Sequence, residues 1–167
     1  MKKLLIIALL CLPMALHAQH QYAYFSQQDV YKSMTDYVEV QRSLTTLREQ
    51  YAAEMKRAED EFNTKYEAFL EGQRSFAPSI MRKRQAELRE LMEKNIAFKQ
   101  EAERLLKQAE ADMMAPVNKR LHDALQRLGE DNGYALIINT DNAGAAWINP
   151  AAATDVTHTL KERLQAK

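Results

Sequence analysis

Apolar positions recur along most of this chain at steps of three and four, the spacing of one helix face. They shift to short strand-like runs only near its two ends. The first stripe is Tyr37, Val40, Leu44, Leu47, Tyr51, Met55, Ala58, Phe62, Tyr66 and Phe69, and from Leu44 onward its steps repeat as 3-4-4. An eleven-residue period predicts a nearly straight or slightly right-handed partner seam in place of the usual left-handed supercoil. Asp36, with Glu39 three residues on, has the form of a capping box at the start. Gly72 and Pro78 break the pattern within EGQRSFAPSIMRKRQ, where proline also restricts the residue before it. A second stripe follows, Leu88, Leu91, Asn95, Phe98, Ala102, Leu105 and Ala109, with one polar member, Asn95, of the kind that sets register at some cost in stability. Two striped helices of similar length around a short break predict an antiparallel hairpin. Thirty-odd residues at about 1.5 Å each make an arm on the order of 50 Å long, too slender to build a globular core.

The descending stripe continues through Met113, Val117, Leu121, Leu125 and Leu128. Pro116 lies inside it and predicts a kink or restart, and Gly129 with Asn132-Gly133 provides the stop. Next comes GYALIINTDNAGAAWIN, two apolar runs around the turn-forming Asp141-Asn142-Ala143-Gly144, which predicts a β-hairpin carrying Trp147. A two-stranded hairpin alone is marginal in water, so Tyr22-Ala23-Tyr24-Phe25 is the expected third strand. Ser26 with Asp29 reads as a capping signal for a short helix through Met34. Tyr134 to Ile138 is apolar on both faces and should be buried on both. The C-terminal helix, opened at Thr154-Asp155 and striped by Val156, Leu160 and Leu164, can cover only one of them. Pooling strands between copies would cover the other and remove exposed edges. The expected interface comprises residues 22–25, 134–139 and 145–149, including Tyr24, Leu136, Ile138 and Trp147, with Trp147 buried near that body.

Composition narrows the setting. Met1-Lys2-Lys3, the apolar run Leu4 to Leu16 and the small Ala18 have the layout of a cleavable secretory signal, and the run is too short for a good transmembrane helix. Cleavage after Ala18 would remove Cys11, the only cysteine, and with it any disulfide or cysteine metal site. A lipid anchor on Cys11 is disfavoured by the bulky Leu10 before it. Loss of Lys2 and Lys3 leaves 21 basic against 23 acidic residues, without the basic excess of a nucleic-acid protein. The expected compartment is the periplasm. The expected organisation is a signal at 1–18, a β-containing oligomerisation body at 19–36 and 112–167, and a helical arm at 37–111 with its tip near 72–80.

The order of these elements (YAYFSQQDVYKSM, a long helical hairpin, NGYALIINTDNAGAAWIN and DVTHTLKERL behind a signal sequence) resembles the OmpH/Skp family of periplasmic chaperones over essentially the whole secreted chain. The resemblance implies a mainly α fold with a small β body: a jellyfish-like homotrimer whose three tentacles enclose a cavity. It also implies that unfolded outer-membrane proteins are held there without ATP. Family members are typically strongly basic and this chain is not, so electrostatic capture of acidic clients or of lipopolysaccharide is a weaker expectation.

Client contact requires apolar side chains that the arm seam leaves over. Met92, Ile96 and Leu106 lie off the descending stripe, and Phe76, Ile80 and Met81 sit at the tip; methionine suits a surface that accepts varied partners. The plainer reading is that each packs against the other arm helix or another copy. Arg74, Arg82, Lys83 and Arg84 make the tip basic, with no carboxylate in 72–86. One reading is contact with a membrane, lipopolysaccharide or an anionic client. The plainer and preferred reading is a solvated turn whose charges pair between the two arms. Catalytic chemistry is not indicated. His158 near Asp155 and Thr157 shares one helix with them and lacks a nucleophile elbow. His122 has no HExxH partner, and no glycine-rich phosphate loop occurs, so no metal, nucleotide or other cofactor is expected. The alternative function is a coiled-coil envelope adaptor for one defined partner, separated from a chaperone by breadth of clients.

Overall fold

In the structure, a computed structural model, residues 21–142 and 147–165 are described. The signal segment with Cys11, and residues 143–146 of the expected hairpin, lie outside them. The elements in order are β1 (Gln21–Phe25), α1 (Gln27–Ser33), α2 (Thr35–Gly72), α3 (Pro78–Asn132), β2 (Tyr134–Asn139), β3 (Ala153–Asp155) and α4 (Thr157–Gln165). The chain divides into two compact units, one formed by Asp36–Val117 and the other by the segments through Thr35 and from Asn118.

In the first unit α2 and the preceding part of α3 run antiparallel. Arg48 pairs with Glu110 at 3.1 Å, the Tyr51 and Phe98 rings lie 6.2 Å apart, and Asn95 donates to the Ala58 carbonyl at 3.1 Å. Partners thus descend on one helix as they ascend on the other. Burial follows the stripes. Leu44, Ala102 and Val117 are buried, and every other stripe position is partly covered except Tyr66, which stays exposed and stacks on Phe62 at 5.9 Å. Asp36 lies in the first turn of α2, not at its N-cap, because the helix opens at Thr35; its charge there complements the helix dipole. Pro116 does not restart α3, which stays one helix of 55 residues. A proline removes a single i→i−4 bond, and α3 continues past it to the buried Val117 and Leu121.

In the second unit β1 is the middle strand of a sheet ordered β2-β1-β3, with both pairings parallel. The expected hairpin is therefore corrected. Strands of one sheet that run the same way need a connection of a dozen or more residues, and the stretch from Thr140 to Ala152 lies in the chain between β2 and β3, the strands on either side of β1. Residues 147–149 are not strand. Asn149 accepts from Ala152 and Ala153 through its carbonyl and from Ala151 through its side chain, closing a turn around Pro150, which has no N–H to give a ladder. The third strand starts only after that turn.

Side chains alternate across β1. Ala23 and Phe25 are buried on one face, as are Val30, Met34, Leu121, Leu128, Val156, Leu160 and Leu164 of the surrounding helices and α4's approach. Ile137 of β2 belongs to this face, since its Cδ1 comes within 3.7 Å of where a Cβ on Gly129 of α3 would sit. Ser26 caps α1, accepting from the Asp29 N–H at 3.1 Å, and Asp155 accepts from the Thr157 N–H at 2.9 Å where α4 begins.

Candidate functional site

Three surfaces carry the residues singled out above. The first is a groove between α2 and α3 of about 340 Å³, with Met55 and Phe62 on one side and Met92, Ile96 and Phe98 on the other. Seam side chains and off-seam side chains meet here. Asn95 turns its amide to the Ala58 carbonyl at the same level, so a hydrogen bond joins the two helices beside this groove. Met92 and Ile96, one turn apart on α3, are about half exposed at 48% and 51%. Leu106 is half-buried and lies outside this groove. Glu59 and Lys99 flank the opening with opposite charges.

The second surface is the tip. The Phe76 ring lies over Gly72, so close that a Cβ there would come within 2.3 Å of Cζ, and it meets Phe69 at 6.3 Å between ring centres. Phe76 and Met81 are thus half-buried, whereas Ile80 is open. The basic residues do not pair between arms as the plainer reading had it. Arg84 and Lys83 reach Glu87 on their own helix, at 3.0 and 3.8 Å, and among the described residues Arg74 and Arg82 have no ion-pair partner. The carboxylate that answers the tip lies one position past the stretch that lacks any.

The third surface is the sheet face turned away from the helices. The register sets Tyr22 beside Leu136 and Tyr24 beside Ile138, with Ala153 and Asp155 on the other flank. Tyr24 and Ile138 are half-buried and Leu136 is 51% exposed. Ala135 is exposed and Ile137 half-buried, so within this chain neither face of the doubly apolar strand is fully covered, contrary to the expected burial on both. Trp147 is 77% exposed in the chain by itself. Sequence reasoning passed over Val38 and Leu70, both open and apolar. Subtracting the stripe positions from the apolar residues of α2 would have found them.

Local electrostatics on the arms come from pairs three or four residues apart. Hydrogen bonds from Arg57, Lys65, Lys94 and Arg104 hold the carboxyls of Glu54, Glu61, Glu90 and Glu101 below their ordinary range, and Lys94 adds a weaker pull on Glu61 from the opposite helix. His122 is exposed, and exposed His158 faces Glu162 at 3.6 Å. Among the described residues no three His, Cys, Asp or Glu side chains group as metal ligands, and no helix is long and apolar enough to cross a membrane.

The family of outer membrane proteins described as OmpH-like matches residues 21–164. The chain belongs to the OmpH-like family. The match takes in both striped helices, all three strands and nearly all of α4 of this OmpH-like chain. Its fold is that of a solved structure from Caulobacter crescentus, a candidate outer membrane chaperone also described as OmpH-like. The TM-score is 0.70 at 17% identity, covering 89% of this chain and 86% of that one. Among curated proteins no sequence matches the OmpH-like chain.

Proposed function

We propose that this OmpH-like chain is an ATP-independent periplasmic holdase that binds unfolded outer-membrane proteins between helical arms and prevents their aggregation. The observation that carries the reading is the apolar surface left on the arms after the seam is filled. Met92 and Ile96 stand half exposed beside a groove floored by Met55, Phe62 and Phe98, with Leu70 and Ile80 open toward the tip. Unfolded barrel strands alternate apolar and polar residues and expose many weak apolar sites in water. Shallow contacts of about 1 kcal/mol each, summed over several arms, hold such a chain without reading its sequence.

The working unit in this proposal is a homotrimer joined through the open sheet face of Tyr24, Leu136 and Ile138, with Trp147 beside it and the cavity lying between the arms. The body comprises 19–36 and 112–167, and the arm 37–111. Export through a signal at 1–18 delivers the chain to the periplasm. Arg74 and Arg82 give the tip a weak, salt-sensitive attraction for membrane or lipopolysaccharide surfaces.

The test is light scattering from several unrelated urea-unfolded outer-membrane barrels diluted into buffer without ATP. The expected result is suppression for all of them, at little cost when salt is raised to about 0.5 M, because apolar contact is not screened. Replacing Met92, Ile96 and Leu106 with serine should weaken suppression severalfold while the oligomer persists. Suppression of one barrel alone would favour a dedicated adaptor, and a fully active triple variant would remove these residues from the client surface.

A further inference from the structure

A recessed cavity of about 300 Å³ lies between the helices just below the tip. Its apolar walls are Ala68, Phe69, Phe76 and Leu88, and Lys65, Arg84 and Glu87 complete the lining. The two rings, tilted at 46° with centres 6.3 Å apart, form an aromatic pair with each other, and both line the cavity, where a further ring can pack against them. The volume stands at the small end of ligand cavities, room for a single residue and not for a strand or helix. Two cations against one carboxylate leave the lining with one net positive charge. Each cation has an ion-pair partner on its own helix, Lys65 the exposed Glu61 at 2.9 Å and Arg84 the half-buried Glu87 at 3.0 Å. Pairs at this degree of solvent exposure are weak, so either cation can turn to a better placed anion at little cost.

The ligand that matches aromatic walls and a cationic rim is at once aromatic and anionic. Within an unmodified polypeptide those two features share a residue only at the C-terminal end, where the main-chain carboxylate stands one carbon from the side chain. We propose that this cavity receives the C-terminal residue of an unfolded polypeptide that ends in an aromatic side chain, with the ring against Phe69 and Phe76 and the carboxylate between Lys65 and Arg84. The inference rests on the client-holding reading above and adds to it one site that does discriminate among chain ends. Broad contact along the arms would hold the body of a client, and this site would fix one end.

Fluorescence anisotropy tests it with the protein and a labelled, unstructured peptide ending in phenylalanine with a free carboxylate. Comparison peptides carry a C-terminal amide or end in alanine. The free-acid phenylalanine peptide should bind at least about tenfold more tightly than either, the size of effect that a charge-assisted hydrogen bond confers. The surface variant Lys65→Gln/Arg84→Gln should bring it down to the level of the amide, with suppression of aggregation unchanged for a barrel lacking a terminal aromatic. Equal binding of acid and amide, a preference that survives in the double variant, or no binding at all would overturn the site while leaving the holdase reading standing. Decanoate competing as strongly as the peptide would overturn it in favour of a general anionic amphiphile. Failure to suppress aggregation of any barrel would instead overturn the reading on which the site rests.

Discussion

Gly133 ends α3 with φ at +66°, and a Cβ added there would meet no atom within 4 Å. The cost of a side chain at this position is carried by the backbone alone. Gly133→Ala should therefore lower stability by about 1 kcal/mol, read as a fall of a few degrees in a thermal melt; an unchanged midpoint would show that the turn relaxes freely. Gly72 is the opposite case, since its backbone is unremarkable and the Phe76 ring occupies the space. Single residues were legible in the sequence where the deciding partner is near in the chain, as with the Ser26 cap three residues before Asp29 and the Asn132-Gly133 stop. Distant partners were not. The Asp141 carboxylate accepts from the Gln28 N–H at 2.6 Å and from the Ser26 hydroxyl at 3.1 Å, bracing the start of α1 from 113 residues away, and no local pattern announces that.

At the level of elements, the striped helices were legible because each stripe position repeats one physical demand, cover on one side, and burial along α2 and α3 follows it almost position by position. The strands were not fully legible. Apolar runs around a turn signal look alike whether they pair with each other or with a third strand, and here β1 enters between β2 and β3. The arm pairs also set a pH dependence. Glu54, Glu61, Glu90 and Glu101 have carboxyl pKa values below the ordinary 4.5, first through hydrogen bonds from their partners. A lowered folded-state pKa gives stability that is present above the unfolded value and is lost as pH falls through the folded one. Helicity by circular dichroism and its melting midpoint should thus hold from neutrality to about pH 5 and decline below about 4.5. A midpoint that rises on acidification would contradict these pairs.

For the molecule as a whole, the informative mismatch is a sheet with one face under helices and the other lined by Tyr22, Tyr24, Leu136 and Ile138. The sequence carries this mismatch openly, because β2 is apolar on both sides and one chain has too few helices to cover both. It does not carry the number of copies, which depends on how twisted sheets meet around an axis and not on any periodicity. Leu136 decides the matter experimentally. It is half exposed in the chain alone, so Leu136→Lys should leave the fold of a single copy intact, with helicity unchanged. Placed in an interface where copies meet on this face, the same lysine brings a charge that must be desolvated without a partner, at a cost of several kcal/mol per copy. Sedimentation at micromolar concentration should therefore show about three times the chain mass for the parent protein and a single chain mass for Leu136→Lys. Suppression of barrel aggregation should fall with it, since a lone arm offers too few shallow contacts to retain a client. A parent protein that sediments as a folded single chain would dismiss the trimer, and a Leu136→Lys protein that stays trimeric would move the interface off this face of the sheet.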